Sequence, residues 1–81
     1  MMKTWYTREL SKLANVSVRT LHYYDQIGLL KPSIRADNNY RLYSEKDLLR
    51  LQQIIALKFF GFDLAKIQQF LSDHKAALNN L

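Results

Sequence analysis

Between Ala14 and Val18 the chain has three residues, Asn15, Val16 and Ser17, in which to end one helix and begin another. Upstream, Leu10, Leu13 and Ala14 fall at i, i+3 and i+4, one helical face. Thr7 is a candidate N-cap there, its hydroxyl able to accept from a free N–H of the first turn. That predicts a short helix, about Arg8 to Ala14. Asparagine tolerates the left-handed conformation that closes a helix, which suits Asn15 to the stop. Ser17 is a second N-cap candidate, and the next helix is predicted from Val18 to Gln26, with Leu21 and Tyr24 turned inward beside Val18. Gly28 ends it, and Leu29-Leu30 return to the core. Two short helices joined so tightly form a helix-turn-helix.

Lys31-Pro32 opens an extended stretch, because the residue before proline is pushed out of the helical region. Ile34-Arg35 and Tyr40-Arg41-Leu42-Tyr43 flank Ala36-Asp37-Asn38-Asn39, whose Asx residues supply the positive φ of a tight hairpin. The flanks predict a two-stranded wing. Ser44-Glu45-Lys46-Asp47 fits a capping box for a third helix that runs to about Phe60 and stops at Gly61. Asp63 caps a fourth, Leu64 to about Leu71, with Leu64, Ile67, Phe70 and Leu71 as its inner face. From Asp73 the chain reads helical again, through Leu78. The expected fold is mostly α with a small two-stranded hairpin, a winged helix-turn-helix over residues 1–72. Residues 73–81 then begin a dimerisation helix, with any effector domain absent.

Helix three carries more apolar residues than one core needs. On a helical wheel Leu48, Leu51, Ile55 and Phe59 share a stripe, while Leu49, Leu57 and Phe60 land opposite. A helix serving one core wants one apolar stripe. Either a thin domain wraps this helix on both sides, or Leu49, Leu57 and Phe60, with Leu78 from the tail, meet a second copy, or these side chains are simply exposed.

Composition removes several classes. The 81 residues hold no cysteine, two histidines and two glycines. Disulfides and thiolate metal sites are excluded, and no glycine loop cradles a phosphate. No enzyme activity, metal or cofactor is expected. No apolar run approaches the ~18 residues of a membrane span, and the first residues lack the apolar segment of a signal peptide. A cytoplasmic protein without a membrane partner is expected. The net charge is +5. It is uneven: residues 1–43 carry seven basic and three acidic side chains, residues 44–81 five and four. A basic half with interleaved tyrosine is the footprint of a nucleic-acid binder, the alternative being a solvated basic surface.

The second helix presents the side chains that suit double-stranded DNA. Arg19 has the fork that matches the O6/N7 pair of guanine. Ser17 and Thr20 offer hydroxyls near a helix N-terminus, which itself favours phosphate. His22 reads equally as a contact or as an exposed polar residue. Tyr23 and Tyr24 point about 100° apart, so Tyr24 packs inward while Tyr23 reaches toward the duplex. On the wing, Arg41 with Tyr40 can meet the flanking backbone. Lys58 joins them if the end of helix three faces the duplex.

The run Tyr6-Thr7 … Leu10-Ser11-Lys12-Leu13-Ala14-Asn15-Val16-Ser17-Val18-Arg19-Thr20-Leu21-His22-Tyr23-Tyr24-Asp25-Gln26-Ile27-Gly28-Leu29-Leu30-Lys31-Pro32, followed by Tyr40-Arg41-Leu42-Tyr43, Asp47-Leu48, Leu51-Gln52 and Gly61-Phe62, resembles the start of MerR-family transcription regulators. The resemblance implies a homodimer that binds a palindromic promoter with an over-long spacer. It also implies that the dimer bends and untwists that spacer so that RNA polymerase engages both promoter elements. It places Ser17, Arg19, Tyr23, Tyr40, Arg41 and Lys58 at the DNA. Asn15 stands where the family often has glycine and Asn38-Asn39 where the wing has Asn-Gly, and both keep a residue that tolerates positive φ. His22 replaces a frequent arginine and would retune one phosphate contact. The effector is unknown from these residues. A short excisionase-like architectural protein and a protein-interaction module without DNA are the alternatives.

Overall fold

The computed structural model describes residues 3–38 and 40–79, with side chains to Ser72. Helix α1 spans Thr7–Ala14 and α2 Val18–Gln26. Asn15 takes the left-handed conformation at φ 58°, and Val16 N–H donates across it to the Ser11 carbonyl at 3.1 Å. Ser17 caps α2 by accepting from Thr20 N–H at 2.9 Å. The two stops and starts predicted around this turn are therefore both present. The cap of α1 differs from the expectation at Thr7. Tyr6 is the N-cap, because its extended backbone leaves its own N–H to the Glu9 carboxylate at 2.8 Å.

Tyr6 is extended because it belongs to a strand. Strand β1 is Thr4–Tyr6, β2 is Ile34–Arg35 and β3 is Arg41–Ser44. The predicted two-stranded hairpin is thus a three-stranded antiparallel sheet in the order β1-β3-β2. Trp5 faces Tyr43 on one side of β3, and Arg35 faces Arg41 on the other. Ala36 N–H closes the hairpin on the Tyr40 carbonyl at 3.0 Å. Asn39 lies outside the described residues.

Helix α3 spans Glu45–Phe59 and α4 Leu64–Asn79. The capping box of α3 forms as expected, with Ser44 N–H donating to Asp47 Oδ2 at 2.9 Å. The same oxygen accepts from Ser33 N–H at 2.9 Å and Oδ1 from Ser33 Oγ at 2.7 Å, so Asp47 also fastens the entry to the wing. Asp63 Oδ1 caps α4 by accepting from Lys66 N–H. The expected break near Leu71 is absent: α4 continues unbroken to Asn79. Gly28 and Gly61 take φ values of 77° and 95° at the ends of α2 and α3. After each, an N–H reaches back five residues, Leu29 to Tyr24 and Phe62 to Leu57. This closure needs a left-handed residue, which glycine supplies without strain.

The core joins every layer: Leu10 of α1, Leu21 and Tyr24 of α2, Leu29 and Leu30, Tyr43 of β3, Leu51 and Ile54 of α3, and Ile67 and Leu71 of α4. Several inward assignments fail. Leu13 and Phe70 are more than half exposed. On α3 the buried stripe is Leu51 and Ile54, flanked by Leu48 and Leu57, while Ile55 and Phe59 face outward. Leu57 was expected on the outer face, but it packs against the core. Apolar residues ring this helix, so the wheel alone could not fix which stripe α4 would cover. Leu49 and Phe60 do face outward, as expected. The Leu78 side chain lies outside the described residues.

Candidate nucleic-acid interface

Helix α2 buries Leu21 and Tyr24 and so turns its other face out. Arg19, His22 and Tyr23 are exposed there, and Thr20 is half-buried. Ser17, also exposed, shares a hydrogen bond with Thr20 Oγ1 at 2.8 Å beyond its capping role. No ion pair among the described residues holds Arg19. Tyr23 is 48% exposed against 4% for Tyr24, so the pair splits as expected between surface and core.

The wing stands beside this face through Asp25, in the last turn of α2. Its carboxylate accepts from Arg41 Nε at 2.8 Å, lies 3.4 Å from Lys31 Nζ and 3.8 Å from an Arg35 amino group. Lys31 Nζ also donates to the Asp25 carbonyl at 3.2 Å, a cation at the negative end of a helix. Three cations around one carboxylate leave the wing root electropositive. Burial alone would push the Asp25 carboxyl up. The hydrogen bonds from Arg41 and Lys31, and their charges, outweigh it and hold the group below its ordinary 3.8. The folded value being the lower one, this contribution to stability is present above that pH and lost as pH falls through the folded value. Thermal melts of the protein and of Asp25→Asn should differ at neutral pH and begin to converge only once the pH drops below about 3.8. A gap that stays constant with pH would contradict the pairing.

A cleft of about 430 Å³ lies between wing and helices, lined by Tyr6, Thr7, Arg8, Val18, Tyr40 and Arg41. Tyr6 and Tyr40 meet edge to face in it, their centroids 5.9 Å apart. Tyr40 and Arg41 are thus brought to the start of α2. Tyr6, Thr7 and Arg8 were missed as site residues. The β-favouring run Thr4-Trp5-Tyr6 was the signal for the strand that delivers them. Lys58, in the last turn of α3, is exposed but belongs to neither the cleft nor the Asp25 cluster.

This arrangement, a capped helix that presents Arg19 and is braced against a basic wing, has known relatives. The family pattern "MerR HTH family regulatory protein" matches residues 7–74. The chain belongs to the MerR family. Among MerR relatives it is 48% identical over 77 residues to the HTH-type transcriptional activator mta of Bacillus subtilis, covering 90% of this chain and 30% of that protein. It is 47% identical over 68 residues to the activator TipA of Streptomyces coelicolor, covering 84% and 27%. The chain therefore spans less than a third of these curated relatives. The crystal structure of MtaN, the N-terminus of the Bacillus subtilis multidrug transporter activator, superposes with a TM-score of 0.83 at 46% identity, covering 94% of this chain and 76% of that one. HiNmlR, a MerR family regulator lacking the sensor domain and solved bound to promoter DNA, gives 0.78 at 32% identity, covering 84% and 54%. The MerR resemblance and the winged architecture expected from the sequence hold. Among the described residues no helix is long and apolar enough to cross a membrane.

Proposed function

We propose that this chain is the DNA-binding part of a dimeric MerR-type transcription regulator. The observation that carries the reading is the outward face of α2, with Arg19 exposed and unpaired beside a wing whose cations crowd one carboxylate. Helix α2 enters the major groove and its early residues Ser17, Arg19, Thr20 and Tyr23 meet base edges or adjoining phosphates, with His22 beside them. A backbone strand crosses the cleft between Arg8 and the wing residues Tyr40 and Arg41. Lys58 meets phosphate farther out. A structural relative, HiNmlR, is a MerR family regulator bound to promoter DNA, which supports the reading that this chain binds DNA.

The dimer rests on the outward apolar face. Phe59 and Phe60, which meet edge to face, are 85% and 75% exposed, and Leu49, Phe62 and Phe70 are each more than half exposed. Large apolar side chains so exposed mark an interaction surface. Two copies would read a palindrome with half-sites one helical turn apart, about 34–36 Å. Distorting the spacer between them would act on RNA polymerase through DNA shape, in the cytoplasm. Fluorescence anisotropy with a palindromic promoter fragment tests the reading. Arg19→Ala should lower discrimination between that fragment and a scrambled duplex by about fivefold or more, the worth of a bidentate base contact of ~1–3 kcal/mol. Unchanged discrimination in both Arg19→Ala and Arg41→Ala would sink it.

A further inference from the structure

Three ion pairs among the described residues end on one carboxylate, that of Asp25. An acidic group is an odd occupant of a face that meets a polyanion, since it repels phosphate. The sheet register explains its presence. Arg35 and Arg41 are directly facing neighbours across the hairpin, and like charges so placed push strands apart. Strand β2 has only two residues with which to resist. Asp25 is 7% exposed, sits on α2 rather than on the wing, and touches both arginines. It neutralises the repulsion inside the hairpin and anchors the hairpin to the reading helix in one contact. It holds Arg41 through Nε, so that the terminal amino groups of that guanidinium stay available as donors.

We propose that Asp25 is a positioning residue for DNA recognition: it locks the wing to α2 and so exchanges non-specific backbone affinity for selectivity. The proposal rests on the DNA reading above. Its first half concerns the free protein and is separable from it.

Asp25→Asn keeps the shape and removes the charge. In the free protein, hydrogen exchange of the Ala36 amide, which closes the hairpin on Tyr40, should quicken at least tenfold, while the Leu51 and Ile54 amides of α3 stay within about twofold. Binding is then compared between a duplex selected on the wild-type chain from a randomised pool and poly(dI-dC), across a salt series. The variant should hold poly(dI-dC) more tightly, with a salt slope steeper by about one ion. Its preference for the selected duplex should fall at least tenfold. A merely weakened fold would loosen both duplexes alike and leave the preference intact, and that result overturns the proposal. So does unchanged Ala36 exchange. Should Asp25→Asn not fold, Arg41→Lys keeps the charge but loses Nε, and must quicken Ala36 exchange by the same route. If exchange responds as expected but the wild-type chain binds neither duplex at low salt, the DNA reading falls, and the selectivity role with it.

Discussion

Tyr43→Ala is expected to cost roughly 3–5 kcal/mol of unfolding free energy, whereas Tyr43→Phe should be neutral or stabilising. Tyr43 is fully buried at the centre of the sheet, with Trp5 facing it across β1. Removing its ring opens a cavity where β3, α1 and α3 converge. A domain of this size has a total stability of about 4–12 kcal/mol, so the alanine variant forfeits much of it. The hydroxyl contributes nothing comparable. It is buried, and although Thr7 lies beside it, no partner meets it at hydrogen-bond geometry. Burial also pushes the phenol above its ordinary 10. An unmet buried hydroxyl costs about 1–3 kcal/mol, and phenylalanine removes that cost with almost no change of shape. Urea unfolding followed by Trp5 fluorescence measures both variants. A large loss in Tyr43→Phe would show that the hydroxyl is satisfied after all.

DNA affinity should collapse with salt. With Arg19 turned to a base, the proposed interface offers phosphate Arg8, Arg41 and Lys58 from each copy, six cationic contacts in a dimer. At about 0.9 counterions released per phosphate neutralised, the slope of log affinity against log salt is near −5. Between 50 and 200 mM salt, affinity should then fall by about 10³-fold. Anisotropy titrations at four or five salt concentrations give the slope directly. A slope near zero would mean that binding does not run through phosphates. A slope near −3 would mean that a single copy binds.

The sequence carried most of the helical frame because its signals were local. Ser17, Ser44 and Asp63 cap the helices they were expected to cap, and Asn15 turns left-handed between the first two. The exposed and buried members of the Tyr23-Tyr24 pair were readable for the same reason: one helix and a 100° step. What escaped was decided at a distance. Strand β1 exists because Thr4–Tyr6 finds Leu42–Ser44, and its β-favouring residues hint at a strand without saying where it pairs. That one omission also hid the true cap of α1 and the cleft residues Tyr6, Thr7 and Arg8. The inner stripe of α3 was misplaced because its apolar residues encircle it, and only packing against α1, β3 and α4 chooses the side. Asp25 gave no sign of its role, since its partners Lys31, Arg35 and Arg41 gather around it only in three dimensions.

The order β1-β3-β2 puts the youngest strand in the middle of the sheet. Thr4–Tyr6 must therefore wait for a partner made some forty residues later. At the usual pace of translation of about 5–20 residues per second, that wait lasts roughly 2–8 s. The turn-linked helix pair leaves the ribosome complete, yet the first strand hangs unzipped until the hairpin's second arm arrives to close it.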